Sequence, residues 1–140
     1  RINKFFRIIT RDKKKINKSL NIKGRNFEIK NYYEGISRFD FKDLCDQNLG
    51  AEDYLEIAKV SEFIVIENIP QFNDINSNQQ HRFITLIDII YDKNIPIAVT
   101  VNQNLSQFTS SQSLKSQFKR TISRLHELTS LSISNDSKIS

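Results

Sequence analysis

The sequence predicts an α/β fold with a βαβ core, flanking helices and a small N-terminal β-hairpin. Three observations carry this. Phe63-Ile64-Val65-Ile66 is a β-branched apolar run of the kind buried on both faces of a sheet. Ile95 to Val101 is a second such run, with Pro96 near its start. Between them Phe83, Leu86, Ile87 and Ile90 recur at helical spacing and share one face. Strand, helix and strand over this length make a crossover unit whose two strands run parallel.

The other elements follow in order. Ile2, Phe5, Phe6 and Ile9 fall on one helical face, so residues 1–23 read as the end of a preceding amphipathic helix followed by a basic linker. An α/β domain is expected over residues 24–130. It opens with a strand in which Phe27 and Ile29 alternate with polar neighbours. Tyr33-Glu34-Gly35 is the expected turn, and Phe39 and Phe41 alternate in a second strand. A short helix starts near Lys42, and Gly50-Ala51-Glu52-Asp53 is a helix entry with acids where the dipole favours them. Tyr54, Leu55 and Ala58 are expected to face inward there. Pro70 and the polar run Asn73 to Gln80 end the first core strand, and Asn94 closes the core helix. Ser113 is a candidate N-cap for a last helix carrying Leu114, Phe118, Ile122 and Leu125 on one stripe. Residues 131–140, rich in Ser and Asn, read as a disordered tail.

Charge is unevenly placed. Residues 1–30 hold eleven Lys/Arg against Asp12 and Glu28, whereas the remainder of the chain is net acidic. A run such as Lys13-Lys14-Lys15 fits either a solvated linker or a contact to nucleic acid or an anionic membrane. The single Cys45 excludes an internal disulfide framework and favours a reducing compartment. No apolar run approaches the ~20 residues needed to span a bilayer. The chain contains no Met and opens at Arg1 in mid-pattern, so it reads as a fragment whose upstream part is missing.

An acid ending one core strand (Glu67) beside a strand ending Thr-Val-Asn invites a nucleotide reading, since such an acid holds Mg²⁺ in P-loop enzymes. The phosphate cradle itself requires closely spaced glycines followed by Lys. Gly24, Gly35 and Gly50 do not supply it. His81 and His126 are solitary, so no metal site is expected. Cys45 has no His near it in sequence and reads as a small buried hydrophobe. Asp88 and Asp92 share a helix face with solvent or with an ion-pair partner. Arg120 and Arg124, four apart on the last helix, suit phosphate or carboxylate recognition, with solvated surface arginines as the plain alternative.

Taken together, Phe41-Lys42-Asp43-Leu44-Cys45, Leu49-Gly50-Ala51-Glu52-Asp53-Tyr54, Glu67-Asn68-Ile69-Pro70, Arg82-Phe83-Ile84-Thr85-Leu86-Ile87-Asp88 with Tyr91, and the run from Phe118 through Arg120-Thr121, Ser123-Arg124-Leu125 to Glu127 resemble the C-terminal part of the ZapE/AFG-like ATPases. That family comprises a bacterial cell-division protein and mitochondrial relatives. His81 departs from the family, which often has Arg there, and Leu128 stands where Met is usual. The resemblance implies the C-terminal portion of an AAA-type P-loop ATPase with its Walker motifs upstream of Arg1. The complete protein would then hydrolyse ATP with Mg, and the fragment would be inactive and without cofactor by itself. Arg120 and Arg124 become candidate phosphate-sensing residues, with Glu67, Arg82 and Asp88 as further candidates. The implied partners are the upstream ATPase region, cell-division or membrane-complex clients and other copies of the chain. The implied location is the bacterial cytoplasm at the division site, or alternatively the mitochondrial matrix. The competing reading is a stand-alone α/β module that contacts nucleic acid or an acidic partner through its basic end.

Overall fold

The two β-branched runs pair side by side at the centre of the computed structural model, which describes residues 1–102 and 108–139, with side chains through 129. The elements in chain order are α1 (Ile2–Thr10), β1 (Lys18–Ile22), β2 (Arg25–Ile29), β3 (Asn31–Tyr33), β4 (Ile36–Asp40) and α2 (Phe41–Cys45). They continue with α3 (Ala51–Lys59), β5 (Phe63–Ile69), α4 (Ser77–Asp92), β6 (Ile97–Val101) and α5 (Lys115–Ile139). A four-stranded sheet has the order β3-β4-β5-β6. β5 runs parallel to β6 and to β4, while β3 is antiparallel to β4 at the edge. The predicted crossover is therefore present, and a second one, through α2 and α3, joins β4 to β5.

Alternation along the strands divides the core into two layers. Ile64 and Ile66 of β5 face α2–α5, in a large cluster that includes Phe41, Phe72, Phe83, Ile87 and Phe118. Val65 faces the other way, where Phe5 and Phe6 of α1 cover it together with Ile36 and Ala98. The sheet is buried on both faces, which is why its central strand reads as an unbroken apolar run. α4 ends as the sequence indicates. Asn94 takes φ 57°, and the Ile95 and Asn94 amides donate to the Ile90 and Tyr91 carbonyls, which closes a Schellman motif.

The hairpins differ from the sequence reading. Residues 18–22, placed in a basic linker, form β1 and pair with β2 from Lys18↔Ile29 to Ile22↔Arg25. The expected partner of the Phe27 strand, the Phe39 strand, instead belongs to the main sheet and turns through Glu34-Gly35 onto β3. Both hairpins close with two residues at positive φ: 51° and 81° at Lys23-Gly24, and 47° and 100° at Glu34-Gly35. Such turns match the right-handed twist of the strands they join. Phe41 begins α2 and is not part of a strand, because Asp40 caps that helix by accepting from the Lys42 amide. On α3, Leu55 is exposed and Ile57 takes the inward place beside Tyr54 and Ala58. Ser113 lies inside a 3₁₀ turn, Gln112–Leu114, that leads into α5, so it does not cap that helix. The tail expected over 131–140 lies outside the residues whose side chains are described.

Candidate functional site

The carboxyl ends of the parallel strands gather polar side chains, the usual place for ligands in open α/β sheets. Asp40 ends β4 opposite Glu67 of β5. The β5–β6 register then shifts between Ile66 and Ile69, and Asn68 within that irregularity takes φ 63°. From there its amide donates to Thr100 Oγ1 (2.8 Å) and its carboxamide to Asp40 Oδ2 (2.7 Å). Three strands are thus tied together at one end of the sheet. Glu67 is ion-paired with Arg38, whose guanidinium also donates to Asn3 Oδ1 (2.6 Å) and lies over the Phe6 ring at 4.5 Å. A cleft of about 430 Å³ opens here, with Phe27, Arg38, Phe39, Asp40, Asp43 and Glu67 among its walls.

The arginines of α5 form a separate group. Arg124 Nη1 donates to Asp88 Oδ1 of α4 at 2.5 Å, and the same guanidinium lies over the Tyr91 ring at 4.8 Å. A hydrogen bond with Glu127 pushes the pKa of the Tyr91 hydroxyl above its ordinary value, so the phenol holds its proton more tightly. Arg124 is therefore half-covered and committed to the α4–α5 seam. Arg120, one turn earlier, is exposed and has no hydrogen bond or ion pair among the described residues.

The five residues singled out from sequence fall in three places. Arg124 and Asp88 meet directly, with Arg120 beside them on α5. Glu67 stands near the carboxyl end of the interior strand β5. Arg82 is elsewhere, donating to the Cys45 carbonyl (3.1 Å) at the C-terminal end of α2. Sequence reasoning did not reach Arg38 and Asp40, since β4 was given a different partner; the alternation of Ile36, Arg38 and Asp40 toward a strand end was the available signal. Gly24 and Gly35 occupy hairpin turns and Gly50 a helix N-cap, so none of them builds a phosphate-binding loop. Among the described residues no group of three or more His, Cys, Asp and Glu is placed to hold a metal ion. No described helix is long and apolar enough to cross a membrane.

Comparison with known proteins adds what the geometry leaves open. The chain is 32% identical over 109 residues to lactation elevated protein 1 homolog B of Danio rerio, covering 78% of this chain and 22% of that protein. It is 26% identical over 90 residues to cell division protein ZapE of Escherichia coli (strain K12), covering 64% of this chain and 24% of that protein. An uncharacterized protein of Schizosaccharomyces pombe matches at 32% over 69 residues, or 49% of this chain and 15% of that protein. The chain thus spans at most about a quarter of the length of these relatives. No solved structure matches significantly. A family model described as AFG1-like ATPase matches residues 1–136, nearly the whole chain, and the mixed α/β architecture fits it: this chain belongs to the AFG1-like ATPase family.

Proposed function

We propose that this chain is the C-terminal region of an ATP-hydrolysing enzyme whose phosphate-binding loop lies upstream of Arg1. The observation that carries this reading is the family match over residues 1–136 in a chain that covers only 22% and 24% of two relatives. ATP and Mg would be held mainly by the upstream region, since the glycines here are spent on turns and a cap. This region would supply arginine to the nucleotide and surfaces to clients and to other copies. The residue we assign to phosphate is Arg120. Its exposure and lack of a partner support that role, whereas Arg124, engaged by Asp88 and Tyr91, would hold α5 in position. Glu67, already neutralised by Arg38, would shape the carboxyl end of the sheet, and Arg82 would fix the end of α2. The similarity to a protein named for cell division supports a role at the bacterial division site, in the cytoplasm. The higher identity to the Danio rerio relative favours a second reading, a eukaryotic protein in the mitochondrial matrix, the alternative location that the family resemblance implies.

The test is Arg120→Ala in the complete protein. A guanidinium acting on charge developing in the transition state is worth on the order of 10³-fold in turnover. ATP turnover should fall by that order while the melting temperature stays within about a degree of wild type, since an exposed residue contributes little to stability. Wild-type turnover in this variant would exclude the phosphate role and leave Arg120 a solvated surface residue.

A further inference from the structure

The most basic part of the chain is a built surface. On α1 no acid occurs, and Lys4, Arg7 and Arg11 lie within about 60° of one another around the helix axis at its ordinary 100° per residue. They point away from Phe5 and Phe6, which are 4% and 7% exposed and clamp the helix to the sheet. Lys14 and Lys15 follow the helix past the exposed acid Asp12, and all five basic side chains are exposed with no ion pair among the described residues.

The segment after α1 is pinned as well. Lys13 Nζ donates to the Glu34 carbonyl (3.2 Å), the Lys14 amide to Glu34 Oε1 (2.5 Å), and Lys15 bridges Tyr33. The Ile16 amide donates to the Tyr32 carbonyl at 3.0 Å, which leaves the Ile16 side chain 41% exposed next to the lysines. A solvated linker would have no such ties. Cations on a rigid support lose less freedom on contact than cations on a free tail.

We propose that this ridge, Lys4, Arg7, Arg11, Lys14 and Lys15 with Ile16 at its end, binds the anionic surface of a lipid bilayer. The charge pattern complements a plane of acidic headgroups. Ile16 adds an aliphatic group that can enter the headgroup boundary. Nucleic acid fits less well. Phe5 and Phe6, the aromatic residues of this segment, are both buried, so neither can stack on a base, and the half-buried Tyr33 beside Lys15 is the one nearby ring left among the described residues. Attachment is peripheral and reversible, because the apolar face of α1 is already used against the sheet.

The experiment is vesicle sedimentation with the complete protein. It compares phosphatidylcholine alone with phosphatidylcholine carrying roughly one third of phosphatidylglycerol, at low salt and at physiological salt. Binding should require the anionic lipid and weaken with salt. Each basic residue near an anionic surface is worth roughly fivefold in partitioning, so Lys4→Ala/Arg7→Ala/Arg11→Ala together should weaken binding by about a hundredfold. Ile16→Ser should weaken it by several-fold. Circular dichroism and ATP turnover without vesicles should be unchanged in both, which separates this result from the fate of the Arg120 assignment. Equal binding to neutral vesicles, or wild-type binding by the triple variant, would overturn the proposal. So would salt-sensitive binding to an RNA or DNA oligonucleotide that exceeds vesicle binding and disappears in the same variant.

Discussion

Burial pushes the Cys45 thiol from an ordinary 9.0 up to about 12, because a thiolate would be stranded in the cluster beneath α4. The thiolate is the reactive form, so alkylation in the folded state at pH 8 should run roughly a thousandfold slower than in urea. The same shift bears on stability. Below about pH 9 both states carry the proton and the stabilisation is fully present. Between 9 and 12 the unfolded chain ionises while the folded one does not, so stability falls as pH rises. Burial also raises Tyr54, whose hydroxyl donates to the Leu44 carbonyl (2.6 Å), and it adds to the slope in the same direction. Cys45→Ala should flatten the alkaline limb of a urea-melt series; an unchanged limb would mean other groups produce it.

At the scale of elements, the α4–α5 seam is the clearest case of side chains positioning a helix. Phe118, Leu125 and Leu128 are buried along α5, and Phe118 meets the Phe72 ring edge-on at 5.4 Å. Arg124 then adds a partly covered ion pair and a ring contact at the rim. Exposed pairs contribute up to about 1 kcal/mol and a cation over an aromatic ring a similar amount. Arg124→Ala should therefore cost about 1–2 kcal/mol, and the double-mutant cycle with Asp88→Asn should show a coupling of about 0.5–1 kcal/mol in urea melts. Zero coupling would mean that the pair is not formed in solution. α3 shows the same logic from the other end. Asp53, 3% exposed, accepts from the Gly50 amide at the helix start (2.8 Å) and from Arg25 of β2 (2.5 Å), which ties the small hairpin to the helix.

Across the whole molecule, the sheet needs cover on both faces, and on one of them α1 provides it. Phe5 and Phe6 pack there against Ile36, Val65 and Ala98, and each buried Phe is worth about 3–5 kcal/mol. Removing residues 1–10 should therefore lower stability by several kcal/mol and expose a surface that binds an apolar dye; a truncated protein with unchanged melts would show that α1 is not docked. The sequence by itself determined the elements whose signal is local. The βαβ unit, the inward face of α4 and its closure at Asn94 depend on a repeat of 2 or 3.6 residues and on one left-handed position, all contained in a short window. The family resemblance was legible for a related reason, since its motifs keep their order along the chain. Tertiary structure alone decided which strand pairs with which. Lys18 to Ile22 carries the right alternation and Lys23-Gly24 the right turn, yet the lysines around them read as solvent-exposed linker. Only the apolar side of β2 and α3 gives Leu20 and Ile22 a place to be buried. The difference in surroundings between Arg120 and Arg124 was equally invisible. Their spacing is symmetric on the helix, and what separates them is Asp88 and Tyr91, 36 and 33 residues from Arg124 in sequence and brought to it by the packing of α4 against α5.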